Sequence, residues 1–253
     1  MDDEVREAAT VALVRDTPHG LETWMMRRRA SMQFAARAWV FPGGRVDADD
    51  HGGVSWTGAG PAVHADRMGI HEDAAQRVVI SALRELYEET GVLLGHHGVL
   101  DDALRVAVEQ RDTTFAEALA TVGATLDADL VVPLARWVTP PTESRRFDTW
   151  FFVADCPDLG PSVVSGEADV AGWVAPRDVL DQHDRREALV LPPTLAMLIT
   201  LDEAGRTAAV MDRARLSDLA AVHPEVVVHD DGSAEVVAAG RRYAVTTTAP
   251  VSR

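Results

Sequence analysis

The sequence predicts an α+β fold, and two periodicities and one absence predict it. Apolar-rich runs of strand character stand at 8–16, 21–29, 130–139, 146–155 and 168–175. Ala75, Val79, Ala82, Leu83 and Leu86 form a three-to-four-residue stripe, which predicts an amphipathic helix over 74–90. No apolar run approaches the roughly 18 residues that cross a bilayer. A chain of 253 residues, 47% of them hydrophobic, suits one large domain, or one with an insertion and a tail, and can bury a sizeable core.

In chain order, Thr17-Pro18-His19-Gly20 reads as the turn between the first two strands. A short strand at 39–41 runs into Pro42-Gly43-Gly44. Residues 47–73 are rich in Gly, Asp and His without a sustained period, which predicts an exposed loop of a kind usually functional or mobile. Asp73 is the expected N-cap of the long helix and Gly91 its C-terminal cap. Two short helices are expected near 101–111 and 114–122, and Pro140-Pro141 marks a turn between two strands. Pro176 opens a helix at its first turn, and a further helix over 191–205 starts on proline and stops at Gly205. The tail, 224–245, reads as a hairpin turning at Asp231-Gly232. No repeat or linker divides the chain. The expected organisation is a domain over 1–205 with an insertion at about 48–73, and an extension over 206–253 packed on the same domain or on a partner subunit.

The net charge is −16, from 24 Lys and Arg against 40 Asp and Glu, which argues against general affinity for nucleic acid or an anionic membrane. A polyanionic substrate would need clustered arginines or divalent cations to overcome the repulsion. Cys156 is the single cysteine, so no internal disulfide can form; it reads as a structural thiol. The opening MDDEVREAAT lacks the basic and apolar regions of a secretory signal, and the expected setting is cytoplasmic.

The most informative segment is SALRELYEETGVLL, 81–94. Glu85, Glu88 and Glu89 stand at i, i+3 and i+4, within an arc of roughly 100° on one helix face. Three such carboxylates repel one another, and a hard divalent cation such as Mg²⁺ or Mn²⁺ would relieve that. Arg84, four residues before Glu88, is placed to hold it by a charge-assisted hydrogen bond. An isolated E-x-x-E-E is most often a solvated acidic face; the neighbouring residues change that reading. Arg84 to Val92 match every fixed position in the second half of the pattern G-x5-E-x7-R-E-U-x-E-E-x-G-U, U being apolar, and Phe41-Pro42-Gly43-Gly44 match the strand and loop that open it. The segment thus resembles the Nudix box. It departs from the pattern twice. Arg84 lies 40 residues after Gly44 where the pattern has 14, an insertion of about 26. Gln76 stands eight before Arg84, where the family has the Glu that braces the arginine; Glu72 or Asp73 could substitute, and Asp47 could support the loop or a metal. The interrupted box resembles the subgroup typified by the peroxisomal coenzyme A diphosphatase of mammals, with further likeness at 25–44, 137–154 and 191–198.

The resemblance implies an α/β/α sandwich, a mixed sheet between helices, with the C-terminal hairpin outside it. It implies metal-dependent hydrolysis of a nucleoside diphosphate linked to another group, coenzyme A or an acyl form leading the substrates. Glu85, Glu88 and Glu89 would carry Mg²⁺ or Mn²⁺ and, with Arg84, the catalysis. The base is expected among the box glutamates, Glu88 or Glu89, with Glu167 and Glu143 as outside candidates. Arg27 and Arg29, on one face of their strand, with Arg37, Gly43 and Gly44, are expected to bind substrate; Arg145 and Arg146 either bind phosphate or pair with acids. The coenzyme A signature is incomplete: Arg29-Ala30 fit, but Phe34 and Ala38 stand where Arg and Gly belong. Trp39, Trp137, Trp150 and Trp173 read first as core, Trp56 as a lid candidate, and His51, His64 and His71 as solvated loop residues. A non-catalytic Nudix module that binds a nucleotide or regulates a partner is the rival reading, kept open by Gln76. The expected partners are a small nucleotide diphosphate and a second copy of the chain, with no nucleic acid and no membrane.

Overall fold

β1 (Val5–Thr17) organises the molecule, because its alternate residues bury on both faces of the sheet. The computed structural model describes residues 5–31, 35–95, 101–156, 166, 168–229, 234–238 and 240–244. Glu167 and the Asp231-Gly232 turn lie outside them. β2 (Gly20–Arg28) returns antiparallel from the turn at Thr17 to Gly20. β3 (Ala38–Val40) pairs antiparallel with β2, and β4 (Gly43–Arg45) pairs antiparallel with the first half of β1. After β5 (Trp56–Thr57) come α1 (Pro61–Met68), α2 (Glu72–Thr90), α3 (Asp102–Glu109) and α4 (Phe115–Val122). β6 (Leu126–Asp127) pairs with β5, and β7 (Val132–Val138) and β8 (Arg146–Asp155) form an antiparallel pair. β9 (Ala168–Val174) joins β2, α5 (Pro176–Asp184) follows, and β10 (Leu189–Val190) pairs with β3. α6 (Pro192–Ala204) and α7 (Thr207–Leu216) precede β11 (Glu225–Val228), β12 (Ala234–Ala238) and β13 (Arg241–Ala244).

The main sheet runs β10-β3-β2-β1-β8-β7, with β4 added to β1 and β9 to β2. The β1–β8 and β3–β10 pairs are parallel and the others antiparallel, so the sheet is mixed. Strand alternation explains the layers. Val11 and Leu13 of β1 and Trp150 and Phe152 of β8 bury beneath Val79, Leu83 and Leu86 of α2. Ala12, Val14, Phe151 and Val153 bury on the other face, beneath Leu195, Leu198 and Leu201 of α6 and Val210 of α7. The expected sheet between helices is the fold observed. Among the described residues no helix is long and apolar enough to cross a membrane.

Several expectations need correction. The 47–73 segment is not structureless: it holds β5 and α1. Gly60-Pro61 starts α1, Gly69 stops it at φ 66°, and Ala65 and Met68 bury against the core. α1 buries the polar His64 beside Ala65 and Met68 and leaves Val63 exposed, so its apolar residues do not mark its buried face. Asp73 is not the N-cap of α2; His71 holds that position without a side-chain cap, and Glu72 and Asp73 lie in the first turn, where their charge suits the helix dipole. The tail is a three-stranded meander rather than a single hairpin, with a second turn at Gly240, φ 73°. It packs on the same chain: Val236, Ala238 and Tyr243 join the α6 side of the core, and the Tyr243 ring meets Trp137 edge to face at 6.1 Å.

Candidate active site

The site forms where β4 leaves β1. Val11 donates to Pro42 O at 2.8 Å and Gly43 pairs with Thr10, so the glycine turn lies flat against β1. That closeness requires glycine. A Cβ on Gly43 would stand 2.5 Å from Ala9 O, and one on Gly44 would collide with the Glu85 carboxylate. The helix α2 can therefore approach β4 side on and present its acids to the turn. Gly91 ends α2 in a left-handed turn at φ 72°, its N–H donating to Tyr87 O.

Arg84 is the hub. It is 3% exposed, and its guanidinium donates to acceptors on three segments, Ser81 Oγ at 3.4 Å among them. Nε and Nη2 donate to the two oxygens of Asp50 at 2.7 and 2.9 Å; Nη1 donates to Glu85 Oε1 at 2.9 Å and Glu88 Oε1 at 3.0 Å; Nη2 also donates to Arg45 O at 2.9 Å. Asp47 Oδ2 lies 3.3 Å from Nη2. Glu89 turns the other way and accepts from Gly43 N at 2.8 Å. Asp50 supplies the brace that was sought at Gln76, Glu72 or Asp73. Those three stand in α2 at least eight residues before Arg84, about 12 Å along the axis and beyond the one-turn reach of helical side-chain pairs. Counted forward from Gly44, Asp50 sits where G-x5-E places its acid. The insertion follows that acid instead of preceding it, so the residue eight before Arg84, Gln76, is not the counterpart of the box acid.

Burial sets the electrostatics. The Glu85 carboxyl is pushed up to about 7, first by desolvation, with Arg84 drawing it down and Glu88 adding repulsion. Burial also raises Glu88, opposed by Arg84 and then by Arg111. For Arg84 burial disfavours the charge, but Asp50, Glu85 and Glu88 outweigh it and hold the group cationic. Among the described residues no three His, Cys, Asp or Glu side chains stand close enough together to hold a metal ion as they are, because Glu85 and Glu88 turn to Arg84 and Glu89 to Gly43.

These carboxylates line a cleft of about 490 Å³. Arg28, Arg45, Arg111 and Arg145 line it too, with Phe41, Phe147 and Phe151. A cleft with four arginines is where a chain of charge −16 offers local attraction to a polyanion. Arg27, Arg29 and Arg37 do not line it. Arg27 is bidentate to Asp169, Arg29 donates to Ala168 O at 3.1 Å, and Arg37 is exposed in the turn after β2 at φ 62°. Arg29 lies beyond the end of β2, where strand alternation no longer applies, and Arg28, its last residue, is the one that lines the cleft. Of the second arginine pair, Arg145 lines the cleft and Arg146 donates to Thr139 O. Glu143 is exposed in its turn and does not line the cleft.

None of the tryptophans lines the cleft. Trp56 is no lid: its Nε1 donates to Ala59 O and its ring meets His64 at 6.1 Å. His64 is buried, which lowers its pKa, while His51 and His71 are exposed. Sequence reasoning missed Asp50, Glu109, Arg111 and Arg105. Buried Arg105 donates to Glu88 O at 2.7 Å and to Glu109 at 2.8 Å, tying α3 to the carboxylate-bearing turn of α2. Only the spacing from Gly44 to Asp50 carried a signal; the α3 residues match no pattern.

No family model matches the chain. It is 26% identical over 207 residues to nudix hydrolase 7 of Caenorhabditis elegans, covering 78% of this chain. It is 28% identical over 235 residues to an acyl-coenzyme A diphosphatase of Homo sapiens, covering 74% of this chain. The matches span 61% and 62% of those two proteins. A Nudix hydrolase crystal structure from Alicyclobacillus acidocaldarius superposes with a TM-score of 0.72 at 28% identity, covering 84% of this chain and 97% of that one. With the box residues gathered at the β4–α2 junction, the chain is similar in sequence and fold to Nudix hydrolases, and in sequence to the acyl-coenzyme A diphosphatases among them.

Proposed function

We propose that this chain hydrolyses the diphosphate linkage of a nucleoside diphosphate joined to another group, with Mg²⁺ or Mn²⁺ held by Glu85, Glu88 and Glu89. The observation that carries the reading is a single cleft containing three box carboxylates and four arginines. The donor set fits a hard cation: all three groups are carboxylates, and Glu85 has a desolvated charge for which Arg84 compensates only in part. When bound, the cation supplies neutralising charge at the diphosphate oxygens and a water of lowered pKa. The protein's own part is positional. Arg84 fixes Glu85 and Glu88, Asp50 fixes Arg84, and Gly43 N fixes Glu89. The water oxygen bonds to one phosphorus as the bridging P–O bond breaks, its proton passes to Glu88 or Glu89, and two phosphorylated fragments leave.

Coenzyme A or an acyl form leads the substrates, because the human relative carries that name. The incomplete signature at Phe34 and Ala38 keeps nucleoside diphosphate sugars and dinucleotides in the panel. A homodimer is proposed on the resemblance alone, and light scattering on the purified chain tests it. The rival reading, a binding module, drew on Gln76; the Asp50 brace removes that support.

The test is product analysis by mass with coenzyme A, acetyl-CoA, NADH, ADP-ribose and a nucleoside diphosphate sugar, with Mg²⁺ and with Mn²⁺. Metal-dependent cleavage by the wild type and its loss in Glu89→Gln is the expected result. A folded wild type that binds nucleotide and cleaves nothing would overturn the reading in favour of the module.

A further inference from the structure

The second residue after α3 is unusual for its position. α1, α2, α4 and α6 each end on a glycine in the left-handed region, Gly69, Gly91, Gly123 and Gly205. α3 ends on Gln110 and places Arg111 in that region, at φ 65°. A non-glycine residue there carries a conformational cost, and such costs gather at functional sites. The turn is well held: Arg111 N donates to Val108 O at 3.0 Å and Asp112 N to Ala107 O at 2.8 Å. Arg186, beyond α5, has a similar φ away from the cleft, so the backbone alone assigns nothing. Location does. The Arg111 side chain lines the cleft beside Glu85, Glu88 and Glu89, stays about half exposed, and forms an ion pair with Asp47, which also lies within reach of Arg84.

We propose that Arg111 is a phosphate-binding residue of this cleft, and that Asp47 occupies its guanidinium in the substrate-free protein as a stand-in for the phosphate. The proposal rests on the diphosphatase reading and adds to it a specificity residue outside the box. An arginine fork suits a phosphate bidentately, and phosphate brings more charge to it than one carboxylate does. The exchange is a swap of partners: substrate phosphate takes the guanidinium and Asp47 keeps its contact with Arg84.

The alternative is a tether, in which Arg111 only anchors the Asp47 loop. The two roles predict opposite behaviour at Asp47. If Arg111 binds phosphate, Asp47→Asn frees it and tightens phosphate binding or leaves it unchanged. If Arg111 is a tether, Asp47→Asn and Arg111→Gly fail together. Arg111→Gly suits the test because glycine relieves the left-handed backbone, so the melting temperature should hold or rise.

The probe is inorganic pyrophosphate with Mg²⁺, its binding measured by calorimetry on the full chain. A loss of about tenfold in Arg111→Gly, with partial recovery in Arg111→Lys and none lost in Asp47→Asn, is the expected pattern. Equal affinity in wild type and Arg111→Gly, matched losses in both variants, or no pyrophosphate binding by wild type would each overturn the proposal. The diphosphatase reading is judged separately, by turnover of the substrate panel. There, Arg111→Gly should raise KM about tenfold with little change in kcat.

Discussion

Two arginine–aspartate forks in this molecule have nearly the same geometry and very different surroundings. Arg84 holds Asp50 at 2.7 and 2.9 Å; Arg27 holds Asp169 at 2.8 and 3.2 Å. The side chains of the first pair are 3% and 2% exposed, those of the second 41% and 39%. In the first, charges cannot be screened by water, so each depends on the others and the removal of one strands the rest. In the second, water takes over whatever partner is lost. Position thus decides which fork organises a site and which only decorates a strand.

The comparison breaks most visibly at its hub. Arg84→Ala leaves Asp50, Glu85 and Glu88 buried together without their cation, and should cost about 3–5 kcal/mol of stability at neutral pH. Urea titration measures it, and a loss under about 1 kcal/mol would show that the cluster is not one unit. Next comes the pH dependence of Glu85. Its folded carboxyl titrates at about 7 against an ordinary 4.5, so its contribution to the metal-free fold is full below 4.5 and fades as pH rises through 7. Wild type should therefore lose stability against Glu85→Gln between pH 5 and 8, by on the order of 3 kcal/mol. Adding Mg²⁺ should reverse that slope, since the cation requires the carboxylate. Paired denaturation curves with and without Mg²⁺ check both signs.

Asp50→Asn comes third. It weakens the fork but leaves Arg84 its bonds to Glu85, Glu88 and Arg45 O, and should cost about 1.5–3 kcal/mol and lower kcat. Gln76→Glu supplies the control: a residue eight positions along the helix should change neither quantity. Recovery of Asp50→Asn activity by Gln76→Glu would refute the brace as described.

How far all this was legible depends on whether a signal was local. β1, β2 and α2 are long enough to show their periods, and the box glutamates with Arg84 sit in one uninterrupted stretch. α7 was hidden because its cap comes from elsewhere: Asp16 Oδ1, 191 residues away, accepts from Thr207 N at 2.9 Å, so no capping residue precedes the helix in sequence. β4 and β10, of three and two residues, exist through their pairing with β1 and β3. Asp50 was hidden because the acid and the arginine it braces are separated by the insertion. Arg28 was passed over because strand parity fixes which arginines share a face but not which face meets the cleft, a fact settled by β4 and α6 on neighbouring segments.

The smallest effect belongs to Arg27→Ala, and it sharpens the comparison from the opposite side. The Asp169 carboxyl is held below its ordinary range first by the hydrogen bond from Arg27, with Arg37 adding to the attraction, so the interaction exists and responds to charge. What it lacks is enclosure. Water can solvate Asp169 as soon as Arg27 is gone, and the fork spends side-chain entropy to stay formed. Arg27→Ala should therefore shift the melting temperature by no more than about 2 °C, and 0.5 M NaCl should erase even that. Its KM for whichever diphosphate the panel selects should match wild type, because the side chain does not line the cleft. A KM rise as large as that expected for Arg111→Gly would mean that Arg27 leaves Asp169 for substrate, and the exposed fork would then belong with the functional arginines after all.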